Sequence, residues 1–193
     1  MKILILGSSY LTQVVTEHLQ RRHKIVGYVP SEGALVPGKM PVVKGDMYDD
    51  CDIRLAIQYP RAIPSDCLDN AFGLHTGLLP DWGGRDILWH TVEQGATHQG
   101  ATLYKMVEER DSGPIISYYA YPVFHSDTVK NLYGRLAKSL PRFTLMALEM
   151  LEDIGWERAI ECVRWGPTMY RQGAIASAEY KKQGEDIRRE YET

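Results

Sequence analysis

Ile3, Leu4, Ile5 and Leu6 form a short unbroken apolar run that stops at Gly7, Ser8 and Ser9. That is the pattern of a strand buried on both faces followed by a tight turn, and such strands belong to parallel sheets. Leu11, Val14, Val15, His18 and Leu19 then recur at helical spacing, and Lys24 to Val29 reads as a second strand, so the chain opens with a βαβ unit. Backbone amides at a helix start attract anions, which makes Gly7, Ser8 and Ser9 candidate contacts for a substrate, with a plain strand-to-helix turn as the alternative. A dinucleotide fingerprint is absent. Ser9 stands where its second glycine belongs, and Tyr28, Val29 and Pro30 close the second strand without an acid.

Further along, Pro30, Pro37 and Pro41 with Gly33, Gly38 and Gly45 make residues 30–49 a loop holding at most a brief strand at Val42 and Val43. Asp52 to Gln58 and Ala71 to His75 read as strands, and Gly84 to Gln94 as a helix stopped by Gly95. The period then changes to two over Ala101 to Val107 and Ile115 to Val123, joined by a polar turn from Glu108 to Gly113. Ser126 or Asp127 can cap a helix carrying Val129, Leu132, Tyr133, Leu136, Leu140 and later leucines on one face, which Pro141 should kink or split. The charged end reads as a surface helix or frayed tail. The expectation is one α/β domain over 1–193, a Rossmann-like, mostly parallel sheet flanked by helices, with the kinked helix and tail at 127–193.

Charge narrows the function. Lysine and arginine total 22 against 25 acids, a net −3, without the basic excess that binding along a duplex requires, so general nucleic-acid binding is not expected. Three widely spaced cysteines, Cys51, Cys67 and Cys162, form no CxxC pair and suit a reducing cytoplasm. The first apolar run is too short for a signal or a membrane span. His90 and His98 lack partners at metal-site spacing, and Asp49, Asp50 and Asp52 lack the calcium-loop pattern, so no metal is expected.

One stretch carries chemistry. Residues 73–84, GLHTGLLPDWGG, place a histidine at the end of a parallel strand and then a glycine-containing loop, where open α/β sheets bind ligands. This resembles the motif N-x-H-x-S-L-L-P-x-x-x-G of the 10-formyltetrahydrofolate-dependent formyltransferases, which act on glycinamide ribonucleotide, methionyl-tRNA or sugar amines. The helix at 84–94 with Gly95, His98, Gly100 and Thr102 is similar to a second family segment, and Asp111, Gly113, Ile115 and Ile116 resemble its D-x-G-x-I-[IL] element. His75 and Asp111 stand 36 positions apart, as in the family.

The resemblance implies that His75 and Asp111 are catalytic. An amine attacking a formyl carbon creates an oxyanion, to which a carboxylate-held imidazole can donate while the carboxylate draws off the amine proton. Alone, each residue reads equally as a buried histidine or a turn aspartate. The motif's asparagine, a second oxyanion donor, is replaced by Gly73, and its loop serine by Gly77. Loss of such a donor costs about 10²–10³ in rate. A water in the vacated space, Asn70 or Gln58 could substitute; Gly73→Asn is expected to raise the rate if an oxyanion donor is what is missing, and to leave it unchanged if a substitute donor is present.

The resemblance further implies a pterin pocket for 10-formyltetrahydrofolate. Gln58, Tyr59 and Ile63 would lie in the loop forming one wall, and Val107, Arg110 and Asp111 in the loop whose backbone reads the pterin edge. Trp82, Arg85 and Asp86 stand where an amine substrate could meet a stacking face, a cation and a carboxylate, with core packing the alternative for Trp82. Tyr104, Tyr118, Tyr119 and Tyr121 read as sheet packing. The expected function is formyl transfer to a primary amine on a small molecule, such as an amino sugar nucleotide, by a monomer or homodimer. A folate- or nucleotide-binding module that lost the reaction with its asparagine, and a hydrolase using water, are the alternatives.

Overall fold

The computed structural model describes residues 1–31, 42–43 and 50–163. Six strands form one sheet: β1 (Lys2–Leu6), β2 (Lys24–Val29), β3 (Ile53–Ile57), β4 (Ala71–His75), β5 (His98–Lys105) and β6 (Ile115–Pro122). Their order is β2-β1-β3-β4-β5-β6. The first four are mutually parallel, and β5 and β6 add as an antiparallel pair. The parallel core follows from composition, since β3 is buried at every position while the edge strand β6 alternates between covered and exposed.

Because strand side chains alternate, each residue's neighbours are fixed by register. On one face Ile3, Ile5, Leu55, Phe72, Leu74 and Leu103 join a large core with α1 (Tyr10–Leu19) and α3 (Val129–Ile154). The opposite face carries Leu4, Leu6, Ala56 and Ala71 with Ile63 and Cys67, residues supplied by the segment after β3 and its short 3-10 turn at Ser65–Asn70. Gly73 and His75 share this second face with Ala71. Across the antiparallel ladder, Tyr104 lies opposite Gly73 and Thr102 opposite His75. Among the described residues this face is covered by loops and a short 3-10 turn rather than by long helices.

Several boundaries differ from expectation, each for a local reason. The helix expected from Gly84, α2, spans Ile87–Glu93, because Asp86 adopts a left-handed backbone (φ 58°) that stops the helix from starting earlier. β5 begins at His98, with Gly100 inside it. A Cβ on Gly100 would sit 1.9 Å from the Tyr119 carbonyl oxygen, so this glycine marks a close strand approach. Thr128 caps α3 by accepting from the Asn131 amide at 3.2 Å. Asp127, an expected cap, instead accepts from the Phe124 amide and from Arg135.

Pro141 does not split α3, which runs continuously over 26 residues. Leu132, Leu136 and Leu140 before the proline and Thr144, Ala147 and Leu148 after it are all buried along the same helix, and that packing outweighs the backbone bond a proline cannot make. A last helix, α4 (Trp156–Val163), follows Gly155. Val42 makes a single parallel bridge to Tyr28 rather than a strand. The rest of the proline-rich segment and the charged end, with Met169, Tyr170 and Arg171, lie outside the described residues.

Candidate active site

Parallel strands β1, β3 and β4 deliver Gly7 to Ser9, Gln58 and His75 to the same edge of the sheet. β4 ends on His75, whose ring is held from two sides. Nε2 lies 2.6 Å from the Trp82 carbonyl oxygen. A carbonyl only accepts, so this nitrogen carries the hydrogen. Nδ1 lies 3.8 Å from Oδ1 of Asp111, with both side chains nearly buried at 11% and 13% exposure.

Asp111 reaches this point because the turn between β5 and β6 folds back over the sheet. Its backbone is left-handed (φ 56°), a conformation aspartate tolerates better than most side chains. Its carboxylate is then gripped from both ends: the Gly84 amide donates to Oδ2 at 2.9 Å and the Tyr104 hydroxyl to Oδ1 at 3.0 Å. An imidazole, an amide and a phenol thus converge on one carboxylate.

The loop over His75 is pinned through Thr102, which donates to the Gly77 carbonyl at 2.7 Å and accepts from the Leu79 amide at 3.1 Å. At Gly77 a Cβ would lie 2.5 Å from the Trp82 carbonyl oxygen and 2.9 Å from His75 Nε2. A glycine where the motif has serine is therefore what allows the carbonyl to reach the ring. Trp82 contributes that backbone oxygen, and its side chain is half-buried. Arg85 is exposed at the same loop.

The space beside Gly73 is not vacant. A Cβ there would come within 2.3 Å of Tyr104 Cε1 and 2.6 Å of its hydroxyl oxygen, so the tyrosine ring occupies the place suggested for a water or a borrowed amide. Asn70 is committed elsewhere: its amide donates to the Cys51 and Asp52 carbonyls, and its oxygen accepts from Arg54. Gln58 does stay at this edge, its amide 3.4 Å from the Thr76 hydroxyl and its backbone left-handed (φ 50°). Burial, and secondarily the Asp111 charge, push the Tyr104 phenol well above its ordinary range, so it remains a neutral donor.

The two loops assigned to a pterin pocket are tied together, since Arg110 donates to the Pro60 carbonyl at 3.1 Å. Within them Gln58 and Val107 are exposed, whereas Tyr59 packs against the second core cluster and Ile63 is buried in it. At the other candidate site, the Gly7 amide donates to Val29, and Ser9 caps α1 in a reciprocal pair with Thr12. A Cβ on Gly7 would lie 2.2 Å from the Ile57 carbonyl, so close packing alone accounts for that glycine. Among the described residues no cluster of three or more histidine, cysteine or acidic side chains could hold a metal, and no helix is long and apolar enough to cross a membrane.

Residues 47–148 match the family model described as formyl transferase. A methionyl-tRNA formyltransferase from Legionella pneumophila subsp. pneumophila is 32% identical over 104 residues, which cover 52% of this chain and 33% of that protein. Another from Bifidobacterium adolescentis is 26% identical over 147 residues, covering 69% and 46% respectively. The matched segments span less than half the length of these curated relatives. Among solved structures, an N-formyltransferase from Helicobacter canadensis in complex with folinic acid and dTDP-3-aminofucose superposes with a TM-score of 0.69 at 15% identity, covering 92% of this chain and 70% of that one. A glycinamide ribonucleotide transformylase from Symbiobacterium toebii gives 0.64 at 18% identity, covering 79% and 88%. These likenesses establish the formyltransferase fold.

Proposed function

The chain belongs to the formyl transferase family, and we propose that it moves a formyl group from 10-formyltetrahydrofolate to a primary amine of a small molecule, with an amino sugar nucleotide as the leading acceptor class. The observation that carries this reading is the meeting of His75 and Asp111, 3.8 Å apart on the loop-roofed face of the sheet. The acceptor class is supported by fold neighbours described with dTDP-3-aminofucose and, for a sugar 3N-formyltransferase, with dTDP and 5-N-formyl-THF.

In this reaction the amine nitrogen bonds to the formyl carbon, negative charge gathers on the formyl oxygen, and as that charge returns the carbon's bond to the folate nitrogen breaks, the nitrogen leaving with the proton the amine gave up. Asp111, an acceptor held by two donors, is placed to take the proton the amine releases. His75 supplies a donor to the oxygen. Its Nε2 hydrogen points at the Trp82 carbonyl, so the formyl oxygen must take that carbonyl's place as the loop over His75 shifts. Arg110, by bridging to Pro60, holds the donor loops at a fixed spacing.

The test mixes the protein with 10-formyltetrahydrofolate and a panel of amines that includes dTDP-amino sugars, and follows the absorbance of the deformylated folate. Turnover that depends on one amine class supports the proposal. Tight folate binding with no turnover on any amine overturns it in favour of a binding module.

A further inference from the structure

The reaction outlined above leaves Tyr104 without a part, although it stands closer to the catalytic carboxylate than any other side chain described there. Tyr104 lies on β5 opposite Gly73, one alternate position along from the Thr102–His75 pair. Its residue is 5% exposed, its ring fills the space over Gly73, and its hydroxyl donates to Asp111 Oδ1, the same oxygen that faces His75.

We propose that Tyr104 is a positioning residue that aims the Asp111 carboxylate at His75, and that Gly73 serves it by leaving the ring its place, so the two act as one unit. This rests on the formyl-transfer reading and deepens it. Asp111 sits in a left-handed turn whose neighbours Glu109 and Arg110 are exposed, so its backbone alone does not fix where the carboxylate points. The Gly84 amide holds one oxygen from a loop that must itself move when the Trp82 carbonyl yields. Tyr104 holds the other oxygen from outside that loop, near the end of β5, where it is paired to Gly73 on β4 and, past a register shift, to Ile115 on β6. A rigid donor of this kind keeps the carboxylate in register while the loop shifts.

Geometry also sets the partner requirement. With a Cβ on residue 73 the ring would be 2.3 Å away, well inside van der Waals contact, and the ring carbons would have to retreat along with the hydroxyl. Restoring the motif's asparagine at position 73 would therefore dislodge the carboxylate's support rather than add a donor. This reverses the expectation drawn from the sequence for Gly73→Asn.

The experiment has one arm that needs turnover and one that does not. In Tyr104→Phe the ring stays and the hydroxyl goes; kcat should fall roughly ten- to a hundredfold, a share of what a well-placed base contributes, while KM for the folate stays within about twofold. A wild-type kcat, or a loss seen only in KM, overturns the proposal. Gly73→Ala should lower kcat to a similar degree alone and cost nothing further on a Tyr104→Ala background. Additive losses would overturn the claim that the pair is one unit. Independently, the 13C resonance of the Tyr104 Cζ, identified by its disappearance in Tyr104→Phe, should move in Asp111→Asn. A resonance indifferent to that change overturns the proposal even if the wild-type chain transfers formyl groups. A wild-type chain that shows the resonance shift yet never transfers a formyl group instead overturns the proposed function.

Discussion

Restoring the serine that the family motif carries at position 77 should harm this protein. In Gly77→Ser the new Cβ would lie 2.5 Å from the Trp82 carbonyl oxygen, whereas ordinary contact begins at 3.4 Å. The carbonyl must then retreat by about 0.9 Å in a packed interior that resists such shifts. It cannot retreat and keep its 2.6 Å bond to His75 Nε2, since a separation near 3.5 Å is beyond hydrogen-bond range. The lost bond is worth roughly 0.5–1.5 kcal/mol and the overpacking roughly 1–3 kcal/mol, together about 2–4 kcal/mol. For a domain of this size that is a fall of roughly 4–16 °C in melting temperature. Differential scanning calorimetry of wild type and Gly77→Ser reads it directly. A melting temperature unchanged to within about 2 °C would refute the reasoning and show that the loop over His75 is not held by that contact.

Arg110→Ala should release the Pro60 carbonyl and loosen the two donor loops, raising KM for 10-formyltetrahydrofolate several-fold with kcat nearly unchanged in steady-state kinetics; an effect on kcat alone would contradict it. Leu136→Ala on α3, fully buried between helix and sheet, should cost roughly 2–5 kcal/mol by calorimetry or urea unfolding. Asp127 is pushed upward by burial, yet the Phe124 amide and the Arg135 guanidinium together hold it below its usual range. A depressed folded-state value means a stabilisation present above the unfolded value, about pH 4, and lost as pH falls through the lower folded value. Asp127→Asn should thus melt lower at pH 7 and lose less on acidification than wild type. Parallel melting-temperature profiles for the two proteins would count against this.

Much of the fold was legible because the strands announce themselves. The unbroken apolar run Ile3 to Leu6 of β1 is the pattern of a strand buried on both faces, and the helical spacing from Leu11 to Leu19 supplies the crossover between β1 and β2. Errors fell where a single residue has two physical readings. Asp86 looks helical but is left-handed, and Pro141, expected to kink or split its helix, does not split it because buried neighbours lie on either side.

The site was partly legible for a related reason. His75 and Asp111 carry recognisable spacing, but what surrounds them depends on register. Tyr104 reads as one more strand tyrosine until the ladder sets it across from Gly73. The available signal was a glycine in mid-strand two positions before the histidine, which calls for a large residue on the neighbouring strand. Likewise Gly77 reads as a lost hydroxyl in the sequence, while in the fold it is the reason a carbonyl can reach the imidazole.

The most direct test compares single-turnover formyl transfer from 10-formyltetrahydrofolate to the best amine acceptor for wild type, His75→Ala and Asp111→Asn, with folinic acid affinity measured on the same samples. Both variants should bind folinic acid as wild type does and transfer the formyl group at least about a hundredfold more slowly. Transfer at the wild-type rate by either variant would mean that the convergence of that imidazole and that carboxylate is not what performs the reaction.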